Sequence, residues 1–483
     1  MVDAPTETRL AQKLRHPSYE WIVGVAFVLA LFMDILDLTV VNVSLFKISR
    51  DFSASLASTT WIVIGYSLSL AIWIPVSGWI GDRAGTRRTF IFALVMFVGA
   101  SALCGEARSI HQLVAFRFLQ GVGGGMLTPT GTTLLFRAFP PERRARASAI
   151  LAIPTVLAPA TGPVLGGFLT DTFGWRWIFR LNIPIGILAL AVAVFGLRKD
   201  GKPTRRPFDL PGFALTALAF PAIVYVLERG STEGWLSARI VQVGILGGLS
   251  LAGLVWWSRR TAAPMLDVHL LGDRMFGTAN IVSFFYTMSF LGVTFLLPQF
   301  LQRVAGYSAL RSGMTTFTQA LGLIVVSRMA GRLYPRWGPR RMMSVAYAGV
   351  AFFTVLLVFI TVGTNPWALR TLLFLRGGCL ALGFIPLQAS FLAKITPEAT
   401  GRASAIFSTQ RQLGAAVGVA VLSTVLASLI PVNFGDTVVP KALVPGFTSA
   451  FHWAFAAAGL MMVVASGLSL RIRDADAAAT MVR

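Results

Sequence analysis

The chain alternates between long apolar runs and short polar breaks. After a polar opening, residues 21–33 read WIVGVAFVLALFM, and runs of this kind recur to the C-terminal end. Each is about 20 residues, long enough as a helix to cross roughly 30 Å of hydrocarbon. The breaks are rich in glycine, proline, arginine and aspartate, the residues of turns. Hydrocarbon offers no partner to an open strand edge, so such runs span as helices. The pattern predicts fourteen helices, near 22–46, 57–78, 89–105, 111–134, 145–170, 176–197, 210–228, 238–257, 276–298, 309–330, 342–362, 368–391, 403–430 and 448–470. The expected fold class is an all-α polytopic membrane protein.

Composition agrees. Hydrophobic residues make up 55% of the chain and charged ones 13%, against about 25% charged in soluble domains. The mean hydropathy is +0.71. The two cysteines, Cys104 and Cys379, form no disulfide framework. The first 20 residues lack the short apolar core and small-residue site of a cleavable signal, so the first span is expected to stay. A net charge of +22 would suggest nucleic acid in a soluble protein. Here its distribution says otherwise. With the N-terminus inside, about 27 of the 42 Lys and Arg residues fall on the inner side and about 11 on the outer. That bias places both termini in the cytoplasm of a cell-membrane protein. The excess charge then needs anionic lipid rather than a nucleic acid partner.

Two inner segments repeat. GWIGDRAGTRR (78–88) follows the second helix and GRLYPRWGPRR (331–341) the tenth, with Gly78 opposite Gly331, Arg83 opposite Arg336 and Gly85 opposite Gly338. Arg87 and Arg88 fall opposite Arg340 and Arg341. A weaker echo joins FLQGVGGG (118–125) to FLRGGCLA (374–381). Two halves of one plan are the signature of a transporter with parallel repeats. The expected organisation is a cytoplasmic tail (1–20), a six-helix bundle (21–197), a linker with two additional helices (198–275), a second six-helix bundle (276–470) and a cytoplasmic tail (471–483). The two additional helices stand outside the repeat and are expected at the periphery, dispensable for the basic cycle.

Four places carry candidate chemistry. Asp34 and Asp37 interrupt the first apolar run in LFMDILDLTVVNVSL. Three residues apart, they share one face of a helix and make a proton site, a cation site, or both. Asn42, five residues beyond Asp37, is expected to bond across a helix interface. Arg117, in the fourth helix, is costly to bury without a partner and is a functional candidate for that reason. Arg376 and Arg411 raise the same question in the second half. In the 78–88 motif, Gly78 permits close helix contact, Gly85 permits a tight turn, and Asp82 can accept backbone N–H bonds at a helix start. Arg83, Arg87 and Arg88 are expected to pair with Asp82 or with lipid phosphate. In APATGPVLGG (158–167) of the fifth helix, Pro154, Pro159 and Pro163 loosen the helix, and Gly162, Gly166 and Gly167 bare one face for a neighbour. The four histidines form no metal cluster by spacing, and no HExxH, GxSxG or P-loop pattern occurs. An enzyme, a metal site and a bound cofactor are not expected.

These motifs resemble those of the major facilitator superfamily, specifically its fourteen-helix drug:proton antiporter branch. GWIGDRAGTRR is similar to the loop motif after the second helix, LDLTVVNVSL to the first-helix motif, RFLQGVGGG to the fourth-helix basic motif, ATGPVLGG to the fifth-helix antiporter motif, and FSTQRQLGAAVGVAVLSTV to the branch's thirteenth span. The resemblance implies that Asp37 is the first-helix acid, Arg117 the fourth-helix arginine, Asp82 the loop aspartate, and Gly162 with Pro163 the core of the antiporter motif. Ala158 replaces that motif's leading glycine, Phe46 stands where the first-helix motif has proline, and Asp34 is additional. The function implied is proton-coupled export of amphipathic or cationic small molecules by a functional monomer, with H+ as coupling ion and Asp37 as the main coupling acid. Export of a lipid or cell-envelope precursor, proton-coupled import, and a non-transporting receptor are the alternatives.

Overall fold

The computed structural model describes residues 17–54, 56–199, 207–429 and 439–481. Among these there are helices and no strands. They comprise α1 (Pro17–Asp51), α2 (Leu56–Ala84), α3 (Thr86–Gly105), α4 (Ile110–Ala138) and α5 (Arg144–Thr172). Then come the short α6 (Arg176–Arg180) with α7 (Asn182–Gly196), α8 (Leu210–Glu233), α9 (Ala238–Arg260) and α10 (Arg274–Gln299). The set closes with α11 (Ala309–Val355), α12 (Pro366–Ser390), α13 (Thr400–Leu429) and α14 (Val444–Ser469). Eleven helices in the described residues are long and apolar enough to cross a membrane, or twelve when the bent pair Pro141–Pro159 and Val164–Thr172 is one span.

Three details differ from the expected boundaries. The second helix runs on to Ala84, so Gly78, Asp82 and Arg83 sit on its last turns rather than in a loop. The 47-residue α11 is interrupted at Gly338, whose φ of 71° lies outside the helical region. Gly85, its partner in the repeat, has φ 95°. The left-handed region favours glycine at both places, and each glycine ends one helix and starts the next. The fifth helix bends by 45° between Pro159 and Val164, where three prolines interrupt its hydrogen-bond ladder.

The contacts fall into two sets. In the first half α1 packs on α5 and α7, and α4 packs on α2 and α3. In the second, α11 packs on α12 and α14, and α10 on α13 and α14. The halves meet through α5 against α11 and α12, and through α2 and α4 against α13. The two additional helices pair with each other. Of the two, α9 is largely uncovered, but α8 touches both α2 and α13, and so spans the seam between the halves. Both ends of the described chain lie at one end of the bundle: Glu20 pairs with Arg143, and Asp476 with Lys394. Residues 1–16 and 482–483 of the two tails, and 200–206 of the linker, lie outside the described residues.

Candidate functional site

Asp37 is at the centre of a buried polar cluster in the first half. It and Arg117 are 2% and 0% exposed. Arg117 Nη1 donates to Asp37 Oδ2 in an ion pair. Gln120 Nε2 and Asn182 Nδ2 donate to Asp37 Oδ1 at 3.1 and 2.9 Å. Gln120 also accepts from Arg117 at 2.7 Å, and Asn182 also reaches the Ser101 hydroxyl at 3.0 Å. The guanidinium lies 4.1 Å from the Tyr66 ring centroid, adding a cation–π contact in a desolvated place, and its Nε donates to the Ile62 carbonyl at 3.3 Å. Donors from two helices, α4 and α7, thus converge on this carboxylate of α1, and α2 and α3 hold those donors in turn. A buried pair of this kind is weak evidence of net stability, but removing one partner costs about 3–5 kcal/mol because the other is stranded.

Asp34 lies one helical turn away on α1 and is 7% exposed. Its Oδ1 accepts from the Tyr66 hydroxyl at 2.6 Å and its Oδ2 from Thr128 at 3.4 Å. Tyr66 therefore touches both acidic systems, through its ring and through its hydroxyl. Gly124 makes room for this: a Cβ there would meet the Tyr66 hydroxyl and lie 3.0 Å from Asp34 Oδ1. Across the seam, Arg411 on α13 is within electrostatic reach of Asp34 and Tyr286. Arg376 on α12 is 0% exposed and its partners are neutral. Its Nε donates to Thr354 at 2.9 Å and its Nη1 to Gln319, while Nη2 is buried with no hydrogen-bond partner.

The repeat motif closes one end of the bundle. Gly78 faces the first turn of α13 so closely that a Cβ would lie 3.0 Å from the Gly401 carbonyl oxygen and 3.1 Å from Ala405 Cβ. Asp82 stands at the N-terminus of α13, where the helix dipole favours an anion, with Oδ2 at 3.7 Å from Arg402 Nε. Arg402 Nη1 also bonds Asp267. Nearby, Arg144 donates to the Leu392 carbonyl at 2.9 Å, and the Phe136 and Phe391 rings stand 5.5 Å apart edge to face. The motif arginines divide: Arg83 lies over the Trp79 ring at 5.4 Å, Arg87 donates to the Val194 carbonyl at 2.6 Å, and Arg88 is exposed.

The fifth-helix motif packs on α1. A Cβ at Gly162 would collide with the Thr39 side chain, and one at Gly166 would lie 3.1 Å from Val40 Cγ1. Gly167 does not share this role, since nothing stands within 4 Å of its Cβ position. The side chain of Pro163 lies outside the described residues. Asn42 is a second correction. It is exposed, and its Nδ2 donates to the Leu38 carbonyl of its own helix at 3.0 Å, so it bridges no interface through that bond.

The structure therefore brings Asp34, Asp37 and Arg117 together, and sets Asp82 and Gly78 against the other half. Sequence reasoning missed Gln120, Asn182, Tyr66 and Arg402. Gln120 was within reach, because it lies three residues after Arg117 on the same helix face. Arg402 carried a stronger signal: RASAI occurs twice, at 146–150 and 402–406, at the start of α5 and of α13.

Residues 27–419 match the family profile described as Major Facilitator Superfamily. The "Multidrug resistance protein B homolog" of Mycobacterium tuberculosis is 33% identical over 83% of this chain and 75% of its own length. "Multidrug export protein EmrB" of Escherichia coli is 30% identical over 83% of this chain and 79% of its own. Among solved structures, the human organic anion transporter MFSD10 superposes with a TM-score of 0.64 at 15% identity, covering 94% of this chain and 100% of that one. The proton:xylose symporter XylE gives 0.61 at 14%, covering 93% and 94%. With its stacked apolar helices, its paired halves and these relatives, the chain is a multi-pass membrane protein that belongs to the major facilitator superfamily of transporters.

Proposed function

We propose that the chain is a proton-coupled antiporter that exports amphipathic or cationic small molecules across the cell membrane by alternating access. It takes no cofactor, works as a monomer and crosses the bilayer fourteen times. The last number follows from dividing α11 at Gly338, from counting α4 and the bent α5, and from the positive-inside bias, which sets both termini and the 78–88 motif in the cytoplasm. The observation that carries the reading is the placement of Asp34. It is a buried carboxylate of the first half, within electrostatic reach of Arg411 of the second and one turn from an ion pair, and its hydrogen bonds come from the neutral hydroxyls of Tyr66 and Thr128.

The two acids divide the work. Asp37 holds Arg117, Gln120 and Asn182 in place, and loss of its charge would strand Arg117. Asp34 can gain or lose a charge without stranding a hydrogen-bonded arginine, so the exchange role moves to Asp34 and Asp37 becomes its fixed support. Proton and cationic cargo compete for Asp34, and each weakens the other's binding, as linkage requires. The bundle end around Gly78, Asp82 and Arg402 closes the cytoplasmic side while the site faces out. The test is substrate-induced proton release in detergent and gradient-driven export in proteoliposomes, for wild type, Asp34→Asn and Asp37→Asn. Loss of proton release in Asp34→Asn is expected. Normal release and normal export in that variant would remove Asp34 from the mechanism.

One observation favours a second cargo class. Arg376 is buried among neutral partners and Arg411 faces the same interior, so an acidic group on the cargo would find positive charge in the second half. A substrate panel of matched cationic and anionic dyes, read for Arg376→Met against wild type, separates the two.

A further inference from the structure

Asp267 belongs to neither half's repeat. It lies in the connection from α9, one of the additional helices, to α10, yet it holds the arginine of the closed end. Its position is fixed from both sides. Asp209, at the start of α8, accepts from the Gly212 and Met265 amides at 2.9 Å each and from Trp257 Nε1 at 2.7 Å. Ser258 donates to the Leu266 carbonyl at 2.7 Å and accepts from the Val268 amide at 3.3 Å. Between these anchors, Asp267 Oδ2 accepts from Arg402 Nη1, and His269 Nδ1 stands 3.3 Å from Oδ1. Asp82, from the first half, is 3.7 Å from Arg402 Nε, close enough for Coulomb attraction and too far for a normal hydrogen bond.

We propose that Asp267 is a positioning residue that weakens the closed end by retaining Arg402. The proposal rests on the reading of Asp82 and Arg402 as a latch. Arg402 and α10, seven residues past Asp267, belong to the second half, so this bond persists when the halves part. Of these two contacts, the one with Asp82 crosses the seam. If Asp82 alone held Arg402, opening would strand a partly buried arginine, a large penalty. With Asp267 in place, Arg402 leaves Asp82 and keeps a counter-charge. The additional helices therefore tune the switch, through the connection they brace.

This predicts opposite signs for two acids on one arginine. Spin labels at Glu142→Cys and Glu398→Cys, both exposed on opposite halves, report opening of this end by double electron–electron resonance in a Cys104→Ala, Cys379→Ala background. Asp82→Asn is expected to raise the open-to-closed ratio about tenfold, within the usual range of coupling between sites. Asp267→Asn is expected to lower it several-fold, because Arg402 then turns fully to Asp82, and adding Arg402→Gln should erase that difference. A structural brace would instead make both substitutions open the end. Opening in Asp267→Asn, or no change, overturns the proposal. No change in Asp82→Asn overturns the latch itself. If Asp267→Asn is not monodisperse, Asp267→Ser is read in its place, and failure of both to fold makes Asp267 a folding residue and overturns the proposal too.

Discussion

The two halves carry the same frame and unlike charges. Each buries one arginine in its interior. Arg117 has an acid, two amides and an aromatic face, whereas Arg376 has Thr354 and Gln319. Each repeat motif turns at a glycine of positive φ, Gly85 or Gly338. In the first copy Asp82 reaches the other half. In the second, Pro335 takes that place, and Asp474 from the segment after α14 accepts from the Arg340 amide at 2.9 Å instead. The RASAI arginines diverge in the same way: Arg402 enters the latch, while Arg146 is exposed and lies over Trp21 at 5.3 Å. The backbone plan is thus duplicated, and the chemistry is not. The buried acids Asp34 and Asp37 sit in the first half, and the interior arginines Arg376 and Arg411 in the second.

The largest effect should come from the two arginine environments. Asp37→Asn strands Arg117 and should cost about 3–5 kcal/mol of stability. Arg376→Met removes a charge with no acid to strand and leaves Gln319 and Thr354 short of one bond each, about 1–2 kcal/mol. Denaturation of both variants in one detergent measures the ratio. Equal costs would mean that Arg376 has a counter-charge the neutral partners do not reveal, and the contrast between the halves would fail.

How much of this was legible beforehand depends on distance along the chain. Most of the helices were, because apolar length marks eleven or twelve of them among the described residues. So was the break at Gly338, whose place in the repeat matched Gly85. The need of Arg117 for a partner followed from the cost of burying it alone, but that the partner is Asp37, 80 residues away, did not. Nor did the donor Asn182: it is the one polar side chain of α7, but it lies 145 residues from Asp37, and nothing local marks which group it meets. Asn42 misled for the opposite reason: an amide in an apolar run was expected to bond across a helix interface, yet it bonds its own helix turn. Asp267 was hidden by the assumption that helices outside the repeat stand outside the mechanism. The expected place of those helices at the periphery said nothing of contacts at the seam, and α8 touches both α2 and α13.

A smaller effect separates the glycines of the fifth helix. Gly162→Leu drives a side chain into Thr39, and overpacking of a well-filled contact costs about 1–3 kcal/mol. Because that contact joins α5 to α1, the helix of both acids, export should fall by about tenfold or more. Gly167→Leu enters open space and should leave export within about twofold of wild type. Counterflow of a fluorescent substrate in proteoliposomes distinguishes them. Normal export by the Gly162 variant would reduce the α1–α5 contact to passive packing.

The smallest effect should fall on Arg146. If the two RASAI segments did the same job, alanine at either arginine would disturb switching equally. Arg402 is enclosed beside two carboxylates, and Arg402→Ala leaves both short of a cation in a poorly solvated place. Arg146 is in solvent, stacked on a half-exposed indole, where a cation–π contact contributes about 0.5–1 kcal/mol. Arg146→Ala should therefore shift the thermal midpoint slightly and leave gradient-driven export unchanged, while Arg402→Ala changes the open-to-closed ratio of the motif end. The check is the same spin-label pair used for Asp82 and Asp267. A shift in that ratio from Arg146→Ala would place a second, hidden latch on the other side of the seam, and the asymmetry drawn from Pro335 would be wrong.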